Sequence, residues 1–237
     1  MIETEGIVLN ELKIKESSKI LKVYSRQLGL ISIYAKGALR KSSPFTASSQ
    51  IFSHNSYRLK KQGNFFYIQK ATIISLNYDL RKDYESFIYG SMIVELYEKS
   101  NFESEINKKT FDLLAKYLKV LPDSKNKKAI TTAFFLKYIS FMGFRPSMVG
   151  NYFSIENGGM VNESDVSLDS YLLKEEQKDY LKFLLYSDLS GEYEKNLSDD
   201  FLFEIVLKYI KYNLEIKDFN SLKLLQKRGS KCYTFKI

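Results

Sequence analysis

The sequence predicts an α+β fold: a five-stranded barrel in the first third, then an α-helical domain carrying a small insert. Three observations predict it. Short apolar runs cut by turn signals continue to residue 77, a three- and four-residue apolar spacing takes over near residue 80, and that spacing lapses between 144 and 168. The expected divisions are therefore 1–80, 81–237 and an insert over 144–168.

The elements follow in order. Ile7-Val8-Leu9 lies in the first strand, Lys19 to Arg26 forms the second, Leu30 to Lys36 the third, Ile51 to Lys61 the fourth and Phe65 to Leu76 the fifth. Gly29 and Gly63-Asn64 mark the turns. In the third strand Ile31, Ile33 and Ala35 share one face, and Ser32, Tyr34 and Lys36 the other. Tyr84, Phe87, Ile88, Met92 and Leu96 predict a helix over about 81–99. Phe111, Leu114, Ala115 and Leu118 mark a second helix ending near Pro122, and Ile130, Ala133, Phe134, Tyr138 and Phe141 a third, stopped by Gly143 and Pro146. The stretch 144–168, with Gly150, Gly158 and Gly159, reads as an irregular insert or small β turn. Helices resume from Glu175 to Tyr186 and from Asp199 to about Ile216, with Ser198 as the expected N-cap.

Charge is placed unevenly. Residues 1–80 hold 12 Lys or Arg against 5 Asp or Glu, whereas residues 81–237 hold 24 against 23. A basic β module joined to a near-neutral helical body suits a polyanion-binding head on a protein-binding body, because clustered cations dominate contact with phosphate chains. Codon bias toward Lys, 30 against 6 Arg, explains abundance but not placement.

The expected binding site is the loop Lys36-Gly37-Ala38-Leu39-Arg40-Lys41-Ser42-Ser43-Pro44, where Lys36, Arg40 and Lys41 supply charge and Gly37 would let the backbone come close to phosphate. Lys13, Lys15, Lys19, Lys22, Arg26, Arg58, Lys60 and Lys61 could extend the patch. Tyr24, Tyr34, Tyr57, Phe65 and Tyr67 could stack bases; most of them are expected in the core, and alternation makes Tyr34 the best surface ring.

Catalytic patterns are poor. His54 sits in a strand-like run with no carboxylate near it in sequence, Cys232 has no histidine neighbourhood, and there is no GxxxxGK phosphate motif. Glu175-Glu176 and Asp199-Asp200 read as helix starts. A non-enzymatic role without cofactors is expected. One cysteine permits no intramolecular disulfide, and the acidic start Met1-Ile2-Glu3-Thr4-Glu5 is unlike an export signal, so a cytoplasmic location is expected, with no membrane contact.

Several segments resemble, in order and spacing, the bacterial recombination mediator family RecO: Glu3-Thr4-Glu5-Gly6-Ile7-Val8-Leu9, Glu16-Ser17-Ser18-Lys19-Ile20-Leu21, Gly29-Leu30-Ile31-Ser32, Ala35-Lys36-Gly37-Ala38-Leu39-Arg40, Phe52-Ser53-His54 and Met142-Gly143-Phe144-Arg145-Pro146. The resemblance implies an N-terminal OB-fold, a helical domain and an inserted zinc module. It also implies a DNA-repair factor that binds single- and double-stranded DNA, anneals complementary strands and is nucleoid-associated. Its implied partners are the acidic tail of the single-strand binding protein, RecR and, indirectly, recombinase RecA. The family's insert commonly carries two Cys-x-x-Cys pairs, but 147–165 here holds no Cys or His, so zinc is not expected. Local packing through Tyr152, Phe153 and Met160 would take its place. A single-strand coating protein with an OB-fold, and a protein-only adaptor, are the competing readings.

Overall fold

The computed structural model describes residues 1–14, 16–103 and 105–224. Lys15 and Cys232 lie outside the described residues. The described chain packs as two units, one of 1–119 with 219–224 and one of 120–218. The boundary read at residue 80 coincides with the change from strands to helices, while the first packing unit extends through two helices beyond it.

In the first unit five strands close into a barrel, in the order β1 (Ile2–Ile14), β2 (Ser18–Ser25), β3 (Gly29–Ala35), β5 (Phe65–Ser75), β4 (His54–Gln62). All neighbours are antiparallel except β3 and β5. Alternation fills the barrel: Val8, Leu21, Val23, Ile31, Ile33, Tyr57, Leu59, Phe66 and Ile68 point inward, joined by Ala38 from the loop after β3. The interior Tyr57 hydroxyl is satisfied, accepting from Asn55 Nδ2 at 2.8 Å and donating to Ser48 O at 3.1 Å.

One strand starts later than its sequence suggests. Ile51 and Phe52 form a turn, with Phe52 in the left-handed backbone region at φ 70, while Phe52 N still donates to Val8 O at 2.8 Å and Val8 N to Ser53 O at 3.0 Å. The fully buried Phe52 ring contacts Phe87 at 5.9 Å, on helix α1 (Tyr84–Ser100). α1 begins at Asp83, whose carboxylate accepts from Ser86 N at 3.0 Å. Helix α2 (Lys108–Val120) packs Phe111 on the barrel's outer side, 6.3 Å from the ring of Tyr24. The chain returns to this unit at Phe219. There Glu95 of α1 accepts from Asn220 N at 2.8 Å and from Ser221 N at 3.0 Å.

The second unit comprises α3 (Lys127–Phe141), the insert, α4 (Glu175–Tyr186) and α5 (Asp199–Asn213). α4 matches the expected limits. α5 ends three residues earlier than expected, and Ser198 stands at its N-cap without a side-chain cap bond. The insert is more ordered than expected: β6 (Ser147–Met148), β8 (Gly159–Val161), β7 (Tyr152–Ser154) and β9 (Ser170–Leu172) form a sheet in that order. Phe153 faces Met160 in register, and both are buried.

Candidate nucleic-acid interface

The loop after β3 is anchored rather than free. Ala38 is buried in the barrel core, Leu39 N donates to Ser17 O at 3.0 Å and Thr46 Oγ1 to Ala38 O at 3.2 Å. Gly37 takes φ +70 and donates its N–H to Ser18 Oγ at 3.2 Å. That corrects the expected role of Gly37: its backbone is buried and engaged, so it shapes the turn instead of meeting phosphate. The turn leaves Lys36, Arg40 and Lys41 exposed with no carboxylate partner among the described residues.

Two residues before Lys36, Tyr34 points outward and stands in register with Tyr67 across the parallel β3–β5 pair. The rings are both half-buried, with centroids 5.1 Å apart and planes tilted by 35°. Lys60 is the register partner of Tyr67 on β4 and is exposed. Two phenol rings with a cation beside them and three more at the strand end form a surface that can stack bases while holding phosphates. Tyr67 is among the rings that could stack a base, although Tyr34 alone was singled out for the surface. The first four residues of its strand, Phe65 to Ile68, alternate as β3 does, and that period was the available sign that it faces out.

The remaining candidates divide. Lys61 is exposed, with its ammonium 5.8 Å from the Phe66 ring centre. Arg58 is exposed but donates from Nε and Nη2 to Glu3 Oε1 at 3.0 and 2.8 Å. Lys22 lies 3.6 Å from Glu103, and Arg26 lies 3.1 Å from Asp112 and 3.7 Å from Glu5. Lys19 is the clear correction. Only 5 % exposed, it donates to Glu11 Oε2 at 2.7 Å across the β1–β2 hairpin, so its charge is both covered and neutralised. Lys13 is exposed, and Lys70, absent from the expected set, is exposed opposite Arg58.

His54 takes no part in this surface. It packs edge-on against Phe111 at 5.6 Å, and its Nε2 lies 3.4 Å from Glu5 Oε2 without a formed hydrogen bond. Burial lowers its pKa from 6.5, outweighing Glu5, which raises it, while Arg26 lowers it further. The unfolded chain then takes up a proton that the folded chain resists. Stability should hold above about pH 7 and fall as pH drops through 6.5, and His54→Gln should flatten that fall in urea midpoints measured down to about pH 5.

The insert's side chains between 147 and 165 offer oxygen, amide and apolar groups but no thiolate or imidazole, a donor set that does not fit a four-ligand structural zinc. Among the described residues no three His, Cys, Asp or Glu side chains group as a metal site. Hydrogen bonds join the insert's segments. Ser154 Oγ and Ser167 Oγ are 3.0 Å apart, Ser167 N donates to Ser170 Oγ at 2.9 Å, and Asn157 Nδ2 donates to Asp165 O at 2.8 Å.

Comparison with known proteins decides the family. The model described as Recombination protein O N terminal matches residues 1–77, and that described as Recombination protein O C terminal matches residues 81–223. The chain belongs to the RecO family. It is 27% identical to the DNA repair protein RecO of Alkaliphilus metalliredigens, over 96% of this chain and 99% of that one. A RecO of Caldicellulosiruptor bescii is 26% identical over 73% of this chain and 78% of its own, and one of Bacillus mycoides 28% over 61% and 58%. RecO membership brings a role in DNA repair and recombination, and the closed barrel is the family's OB-like domain. No helix among the described residues is long and apolar enough to cross a membrane.

Proposed function

We propose that this protein is a non-enzymatic recombination mediator. It binds single- and double-stranded DNA, anneals complementary strands and, with RecR, helps recombinase RecA onto strands coated by the single-strand binding protein. Such work places it in the cytoplasm at the nucleoid. The observation that carries the DNA reading is the Tyr34–Tyr67 pair beside Lys60 and the exposed Lys36, Arg40 and Lys41. Replacing Lys36, Arg40 and Lys41 together by Ala should flatten the logarithmic salt dependence of single-strand binding by about 2, at roughly 0.7 per phosphate contact. An unchanged slope would remove the loop from the interface. Annealing measured in the same samples separates a mediator from a coating protein, which binds strands without speeding their pairing, and from an adaptor, which binds neither.

The helical unit is the proposed receptor for the acidic tail of the single-strand binding protein. Its cleft of about 430 Å³ between Tyr180, Phe183 and Lys195 is flanked by Glu192 and Glu194, which repel an acidic peptide. The exposed Tyr186, with the Arg145 guanidinium 5.2 Å from its ring centre, offers instead an apolar contact and a cation. Binding of the tail peptide should survive the Lys36/Arg40/Lys41 substitution and fall at least tenfold, about 1.4 kcal/mol, in Arg145→Ala. Collapse in the loop variant instead would mean that tail and DNA share one surface. The insert is proposed to fold without metal.

A further inference from the structure

The first unit carries a second cationic surface, on the outward side of α2. Thr110, Phe111, Leu114, Tyr117 and Leu118 are buried on one side of this helix, leaving Lys108, Lys109, Asp112, Lys116 and Lys119 along the other. Asp112, its one carboxylate, is engaged by Arg26 at 3.1 Å. Lys108, Lys109 and Lys119 are exposed and meet no carboxylate among the described residues. The two lysines at the start oppose the helix dipole, and no acidic residue accompanies them in the first turn. Helix stability therefore does not account for them.

This surface is separate from the tyrosine face. α2 meets the barrel at Tyr24, whose hydroxyl lies 2.7 Å from Thr110 Oγ1, and at Arg26, beyond the end of β2 where Ser25 pairs with Gly29. The loop cations lie beyond the other end of the same hairpin, where Lys19 pairs with Ala35. At roughly 3.3 Å per residue, Arg26 and the loop cations stand about 25 Å apart along the strands, and Tyr24 and the Ile20 position opposite Tyr34 about 13 Å. They also differ in chemistry. The outward side of α2 offers point charges over about 16 Å of helix and no aromatic ring, which suits a backbone whose bases are already paired.

We infer that the α2 lysines bind the phosphate backbone of duplex DNA, while the tyrosine face takes unpaired strand. This rests on the proposed DNA-binding function and assigns its two substrates to two places. One chain could then hold an unpaired strand and a duplex together, as annealing requires when the product grows.

The test is Lys108→Gln, Lys109→Gln and Lys119→Gln together in the full chain, titrated with a blunt mixed-sequence duplex and with oligothymidylate. Duplex affinity at low salt should fall about tenfold or more, with the salt slope flattened by about 2 to 3, and oligothymidylate affinity should stay within about twofold. Thermal melting close to that of the parent shows the fold intact, since Lys108→Gln and Lys109→Gln remove charges unfavourable at the helix start while Lys119→Gln removes one favourable at its end. Unchanged duplex binding, or equal loss of both ligands, overturns the assignment. Failure of the parent protein to bind any DNA overturns the function itself and is read before any variant.

Discussion

Tyr34→Ala and Tyr67→Ala should each weaken single-strand binding by about 1–3 kcal/mol, roughly 5- to 150-fold, because base–ring stacking has that worth per base. Tyr→Phe at either position should keep most of the affinity, since the ring and not the hydroxyl meets the base. The 5.1 Å ring separation makes the two positions neighbours, so their losses should be non-additive when combined. Fluorescence anisotropy with oligothymidylate at fixed salt reads all of these variants. Equal affinity for Ala and parent would show that the pair only covers the barrel wall. Unlike the loop substitutions, the tyrosine variants should leave the salt slope in place, because no cation is removed.

Phe153→Ala should destabilise the second unit by about 3–5 kcal/mol, the usual cost of emptying a fully buried phenylalanine site. Strands of two or three residues do not stand alone in water. This sheet is held by the Phe153–Met160 register pair and by the contact of Phe153 with Tyr209 of α5, 5.4 Å between ring centres. A chelator should leave the melting temperature of the parent unchanged, and metal analysis should find no stoichiometric zinc. About one zinc per chain, or a chelator-induced drop, would show that ligands outside 147–165 hold the insert. A loss below about 1 kcal/mol in Phe153→Ala would show that the serine and asparagine hydrogen bonds, not the ring, carry it.

Where local pattern alone determined the outcome, the sequence was readable. The alternation of Ile31, Ile33 and Ala35 against Ser32 and Tyr34 is the alternation of β3, and Glu175–Tyr186 is α4 to the residue. What escaped depends on partners distant in the chain. Lys19 looked available because Glu11 faces it only once the β1–β2 hairpin closes, and Arg58 because Glu3 arrives from β1. Tyr67 found its partner through the parallel β3–β5 contact, whose register no turn specifies. The left-handed backbone of Phe52 breaks a run that side-chain type alone marks as strand. The basic side of α2 was hidden by averaging, because four lysines and one aspartate on one helix disappear within a near-neutral body.

Residues 219–224 belong with the barrel although the 120–218 unit precedes them. Until the ribosome has made residues 219–221, Glu95 lacks the amide donors of Asn220 and Ser221. At about 5–20 residues per second, the intervening segment delays that closure by roughly 5–20 s. The barrel strands are thus synthesised well before their unit is completed, which gives the 120–218 unit time to fold on the nascent chain before the barrel's unit is closed.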